Sequence, residues 1–116
     1  MSGKFLVVGI LMAAVPAMAV AAPKQIRTAS EFSQHVVGKT VDGPGYQVVI
    51  KADGTAAGKT DDGHRLTLNW VWDKGRWCRR LIVGKTDQGT DCFRWAVDGS
   101  TFTLTGKNGT QTGELR

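Results

Sequence analysis

The sequence predicts a mainly all-β protein: a small antiparallel β-barrel or curved meander of about seven or eight strands behind one short N-terminal helix. Three observations predict it. Turn dipeptides recur from Asp42 onward: Asp42-Gly43, Asp53-Gly54, Asp62-Gly63, Lys74-Gly75, Asp98-Gly99 and Asn108-Gly109. Such punctuation, at roughly 8–12-residue spacing, marks hairpin-connected strands. The segments between them alternate apolar and polar residues, the pattern of a sheet with one wet face. Only one stretch carries helical spacing together with cap residues.

The chain opens on a targeting pattern. Met1 to Lys4 is a short basic start, Phe5 to Val15 is an apolar run of 11 residues, and Pro16 breaks it. Small residues follow as Ala17-Met18-Ala19 and Ala19-Val20-Ala21. This three-part layout predicts a secretory signal peptide over residues 1–21, cleaved before Val20 or Ala22. The competing reading is an uncleaved anchor, since Phe5–Ala22 reaches 18 residues. No Cys lies nearby to accept a lipid. One β-rich domain is then expected over residues 22–116, with no stable membrane span after cleavage and a place in the periplasm of a Gram-negative bacterium or beyond.

The helix is expected over Ala29–Val37. Thr28 or Ser30 caps it, Glu31 completes a capping box with Thr28, and Phe32, Val36 and Val37 share a face before Gly38 ends it. Strands are expected at Tyr46–Lys51, Thr55–Lys59, Arg65–Trp72, Arg76–Val83, Thr90–Val97, Ser100–Thr105 and Thr110–Leu115, with a short one near Thr40–Val41. Tyr46, Val48 and Ile50 share one face. Leu66, Leu68, Trp70 and Trp72 share another, opposite Arg65, Thr67 and Asn69. The tripeptide Gly-Lys-Thr occurs at Gly38, Gly58 and Gly84, but none has the upstream Gly of a phosphate loop. These are turn or strand-edge text.

Asn69–Val97 concentrates the chemistry of the chain. It holds all four tryptophans, both cysteines and Arg76, Arg79, Arg80 and Arg94. In an exported chain Cys78–Cys92 is the available intrachain disulfide, closing a loop worth about 3 kcal/mol. If those cysteines face each other across a hairpin, the numbers of opposed residues sum to 170. Trp77 then meets Phe93, Arg79 meets Asp91, Arg80 meets Thr90 and Arg76 meets Arg94. One face carries Trp77, Leu81, Val83, Phe93, Trp95 and Val97. The other carries the disulfide with Arg76, Arg80 and Arg94.

That outer face reads either as a patch for an anion or acidic partner, through guanidinium forks, or as a solvated surface whose charges discourage edge pairing. The tryptophans read either as core or as the lining of a possible cavity formed by Trp70, Trp77, Arg79, Asp91 and Trp95. Arg79 is informative, because an inward arginine needs a partner such as Asp91 or a place at a mouth.

Other classes of function find little text. Net charge is +5, or +4 without Lys4, a mild excess with no dense basic run, so no nucleic-acid partner is expected. Two histidines and two cysteines supply no metal motif, and no cofactor loop, nucleophile elbow or paired carboxylates appear. No catalytic residue, metal or cofactor is therefore assigned. The expected function is a non-enzymatic binding or interaction module, monomeric, taking an envelope component, another exported protein or an anionic ligand. An inhibitor is a variant of that reading. The alternative is a small-ligand-binding, hydrolytic or lyase barrel with a Trp-lined cavity.

The run Asp53-Gly54, Leu68-Asn69-Trp70-Val71-Trp72, Gly75-Arg76-Trp77-Cys78-Arg79 and Asp91-Cys92 resembles a group of small exported alphaproteobacterial proteins. Their pattern is approximately DG…G-x-W-x-W…G-[aromatic pair]-C-R…[DN]-C. The resemblance covers about Glu31 to Leu104, with Asn69 standing where Gly is common and Arg76 where an aromatic is common. Members are often called dihydrodipicolinate reductase by automatic naming. The resemblance implies no activity or site residue, and the chain lacks the G-x-G-x-x-G and α/β alternation that a reductase of that kind needs.

Overall fold

A computed structural model describes residues 22–116. The predicted signal peptide lies outside the described residues. The elements run β1 (Lys24–Gln25), α1 (Ala29–His35), β2 (Thr40–Gly43), β3 (Tyr46–Ile50), β4 (Thr55–Thr60), β5 (Arg65–Asp73), β6 (Arg76–Val83), β7 (Thr86–Asp98), β8 (Thr101–Gly106) and β9 (Gly109–Leu115). The sheet order is β1-β7-β6-β5-β4-β3-β2-β9-β8, every pairing is antiparallel, and β7–β8 pairing closes β2–β9 into an eight-stranded barrel.

The helix forms as its capping text predicts. Glu31 N–H donates to Thr28 Oγ1 at 3.1 Å, and the Glu31 carboxylate accepts the Thr28 N–H at 3.2 Å. It stops at His35, where the Val36 N–H still donates to the Phe32 carbonyl. The helix lies at one end of the barrel and drives Phe32 and Val36, both fully buried, into it. All four tryptophan rings surround Phe32: Trp70 and Trp72 at 5.2 Å between centroids, Trp95 at 5.5 Å and Trp77 at 6.1 Å. This end is therefore closed by aromatic packing.

Two elements differ from expectation. The two residues of β1 are exposed and lack any periodic signal; they are strand only because Lys24 pairs with Val97 and Gln25 with Ala96. β7 begins at Thr86 rather than Thr90. Thr86–Gly89 is polar and exposed on both faces, so alternation could not reveal it.

The hairpin β6–β7 follows the 170 rule at Trp77–Phe93, Cys78–Cys92, Arg79–Asp91 and Arg80–Thr90. The cysteines form the disulfide. Beyond Arg80 the register shifts, and Ile82 faces Asp87 while Val83 faces Thr86. The two-residue turn Gly84-Lys85 sets one register and the cysteines set another, one residue apart. A bulge that leaves Gln88 and Gly89 opposite Leu81 reconciles them. At the other end the ladder stops at Trp77–Phe93, so the expected Arg76–Arg94 pair does not form in it. Across the other edge of β6, Arg76 stands opposite Asp73 on β5.

Candidate functional site

The turns β2–β3, β4–β5, β6–β7 and β8–β9 cluster at the end of the barrel away from the helix. Between that end and the tryptophans lies a cavity of about 320 Å³. Its floor is Trp77 and Trp95, which meet edge to face at 5.5 Å. Its walls include the inward residues Val48, Leu66, Leu68 and Leu104, all buried, and half-buried Leu81 and Val83. Pro44, Gly45 and Thr60 reach it from the turn end. The period-2 pattern of β3, β5, β6 and β8 puts these apolar side chains inside.

Four polar side chains interrupt the apolar lining: Thr60 at the turn end, and Tyr46, Arg79 and Gln111 deeper in the wall. Tyr46 donates its hydroxyl to Gln111 Oε1 at 2.5 Å. Burial pushes the phenol up to about 12, with the Arg79 charge pulling the other way, so it stays neutral and acts as a donor. Gln111 accepts at its oxygen and keeps its amide N–H groups as donors. Two close approaches make room here. A Cβ on Gly43 would come within 2.2 Å of the Tyr46 ring, and one on Gly106 within 2.6 Å of the Phe93 ring. Asp42-Gly43 is thus not the turn its text suggests; the turn is Pro44-Gly45, and Gly43 is a strand residue beneath Tyr46.

The Arg79 side chain is only 14% exposed. Its guanidinium carbon sits 4.7 Å from the Phe93 ring centroid, a cation–π contact. Its Nη1 is 3.6 Å from Asp91 Oδ2, an ion pair longer than a hydrogen bond. Asp91 is held more closely by Lys107, at 3.0 Å. That contact, ahead of the Arg79 charge, keeps the Asp91 carboxyl below the usual carboxylate range. Burial lowers the Arg79 value and the Asp91 charge opposes the shift. An arginine nevertheless stays protonated. Arg79 Nη1, Trp77 Nε1 and Trp95 Nε1 are buried donors with no hydrogen-bond partner. A second recess, of about 260 Å³, adjoins the first and is lined by Asp91, Lys107 and Thr110. Arg79, Phe93 and Gln111 line both spaces, so the guanidinium stands in the partition between them.

Of the expected cavity residues, Trp77, Arg79 and Trp95 line the cavity and Asp91 lines the adjoining recess. Trp70 does neither. Its indole N–H donates to the carbonyls of Lys51 and Thr55, at 3.1 and 3.2 Å, and its ring belongs to the packing around Phe32 at the closed end. Arg76, Arg80 and Arg94 are on the outside of the barrel with the disulfide. Arg80 is engaged by Asp87, at 2.5 Å. Among the described residues no ion pair involves Arg76 or Arg94. Arg94 instead lines a shallow recess with Arg27 and Gly75. His64 is in an exposed turn beside Asp62, 3.0 Å away, and His35 ends the helix. Among the described residues no group of three or more His, Cys, Asp or Glu is placed to hold a metal. No helix among them is long and apolar enough to cross a membrane.

Sequence reasoning missed Gln111 and the polar role of Tyr46. Tyr46 was visible as an inward residue with Val48 and Ile50. Gln111, within Thr110-Gln111-Thr112, carries no signal of its own. No protein-family model, curated protein or solved structure gives a significant match to this chain.

Proposed function

We propose that this chain is an exported, non-enzymatic binding barrel that takes a small, mainly apolar ligand into the cavity above Trp77 and Trp95. The carrying observation is that cavity: a closed barrel, stoppered at one end by α1, keeps about 320 Å³ open toward the other. Eight-stranded barrels have an interior that either fills with side chains or holds one small ligand. The volume and apolar lining with a few convergent polar groups fit a ligand site. The lining carries no carboxylate, imidazole or thiol, which favours binding over hydrolysis or elimination. The predicted leader and the Cys78–Cys92 disulfide support export.

Titration of the isotope-labelled protein with 1-octanol, followed by amide NMR, tests the proposal. Expected shifts concentrate on Leu66, Leu68, Trp77, Leu81 and Trp95, and Leu81→Trp, which fills the cavity, abolishes them. Shifts confined to the outer face of Arg76, Arg80 and Arg94 would replace the cavity with a surface site.

A further inference from the structure

We infer that the ligand of this barrel is a monoanionic carboxylic acid with a compact apolar body, its carboxylate held by Arg79 at the cavity wall. This rests on the cavity being the binding site and names the chemistry it selects.

The argument starts from an imbalance of hydrogen-bonding groups. Trp77, Trp95 and Arg79 line the cavity, and each carries a buried donor without an acceptor, Nε1 in the indoles and Nη1 in the guanidinium. The Tyr46 hydroxyl donates to the Gln111 oxygen, and the acceptor capacity this pair retains is neutral, with no anion in the cavity lining. A site with spare donors is complemented by a group that only accepts, and a carboxylate is such a group. A protonated amine only donates and leaves the imbalance in place; an alcohol can accept but brings no charge to set against the guanidinium.

Charge points the same way. The ionised groups nearest the partition are Arg79, Asp91 and Lys107, two cations and one anion. Asp91 lies closer to Lys107 than to Arg79, by 3.0 against 3.6 Å. The guanidinium is therefore neutralised at a distance and retains an unused donor. A monoanion brings this cluster to neutrality. The cation–π contact with Phe93 holds the guanidinium in place before any ligand arrives, so little ordering is required on binding. Guanidinium also matches a carboxylate with two parallel donors, which a lysine at this position could not do.

Size bounds the body of the ligand. About 320 Å³ is the room of roughly ten water molecules at ~30 Å³ each, so the part of a ligand held inside is about ten non-hydrogen atoms. A medium-chain acid or a single-ring aromatic acid is enclosed whole; a longer chain would extend out at the turn end.

The experiment compares octanoate, 1-octanol and octylamine, equal in chain length, by calorimetry on the disulfide-bonded protein. Octanoate is expected to bind roughly ten- to hundredfold tighter than octanol, the usual advantage of a hydrogen bond to a charged group, and octylamine more weakly than either. Arg79→Met removes the preference and leaves octanol binding within a few-fold. Asp91→Asn, which removes the competing carboxylate, strengthens octanoate binding and leaves octanol unchanged. Equal affinity for octanoate and octanol in the unmodified protein overturns the inference while leaving the cavity reading standing. No binding of any of the three overturns both. The comparison on unmodified protein decides the matter even where Arg79→Met does not fold.

Discussion

Phe32→Ala tests whether the helix is a structural stopper or an ornament on the barrel. Phe32 is fully buried, and its ring meets Trp70, Trp72, Trp77 and Trp95 at 5.2 to 6.1 Å. Truncating a core Phe to Ala typically costs ~3–5 kcal/mol, the lost transfer energy plus the cavity left behind. Collapse cannot relieve much of that cavity here. Four indole rings on three separate positions of the barrel wall, β5, β6 and β7, are fixed by their strands and cannot all move inward. The upper part of the range applies, about 4 kcal/mol. A domain of this size has a total stability of roughly 5–15 kcal/mol, so the loss is a large fraction of it. For a domain of about 60–100 residues, 1 kcal/mol shifts the melting temperature by ~4–8 °C, and a fall of roughly 15–30 °C is expected.

The assay is thermal and urea unfolding followed by tryptophan fluorescence, with Ser33→Ala as the exposed control on the same helix. The control should stay within ~0.5 kcal/mol of the parent. The near-ultraviolet circular dichroism should also weaken, because all four indoles lose a shared neighbour. A melting temperature lowered by less than about 5 °C would refute the reasoning. It would mean that α1 is not part of the cooperative unit and that the barrel is closed at that end by its tryptophans alone.

Two further predictions concern stability. Glu31 is drawn from an ordinary 4.5 down to about 2, chiefly by accepting the Arg27 backbone N–H and then by Lys24, whose Nζ is 3.0 Å away. A carboxyl depressed on folding contributes stability that is fully present above about 4.5 and is lost as pH falls toward about 2. Glu31→Gln should therefore melt below the parent at neutral pH and converge with it near pH 2; a constant offset down to the lowest pH contradicts the assignment. Replacing both Cys78 and Cys92 with Ala should cost roughly 3 kcal/mol, the entropy of a loop this long, seen as a lower urea midpoint. The proposed export predicts that the protein weighs two hydrogens less than its reduced form and lacks residues 1–21, and a retained leader would make it an anchored protein instead.

The barrel was legible wherever each strand had one apolar and one polar face. Arg65–Asn69 alternates apolar and polar, its buried positions Leu66 and Leu68 are the inward ones, and only Val71 breaks the pattern as an exposed apolar residue on the outer face. The same logic fails at Lys24–Gln25 and Thr86–Gly89, where exposed polar residues are strand only because a neighbour pairs with them. The cysteine-centred register held for four successive pairs because a single covalent constraint and period-2 geometry determine it. It failed beyond Arg80 because the Gly84-Lys85 turn imposes a second constraint that the cysteine spacing does not satisfy. Arg79 was identifiable from sequence as an inward charge, since the register alone places it beside Asp91. That Asp91 lies closer to Lys107 than to Arg79 depends on β8–β9 docking beside β7, which no local pattern encodes.

Whether the interior is filled or hollow is a question of volume distribution rather than of pattern. Eight strands fix a barrel radius, and side chains either fill it or do not. In this chain the four tryptophans and Phe32 crowd one end, while the inward positions nearer the other end are largely aliphatic, with Tyr46, Phe93, Arg79 and Gln111 among them. The aromatic end is packed around Phe32, and the other end keeps about 320 Å³ open. The helix sharpens the asymmetry, because it adds Phe32 and Val36 to the end that already has the bulk. The tryptophan cluster is therefore core and site at once. Its lower surface packs against the helix, and its upper surface is the cavity floor, with Trp77 and Trp95 belonging to both. A substitution such as Trp95→Phe should consequently act on stability and on ligand affinity together, whereas Leu81→Trp should act on affinity alone.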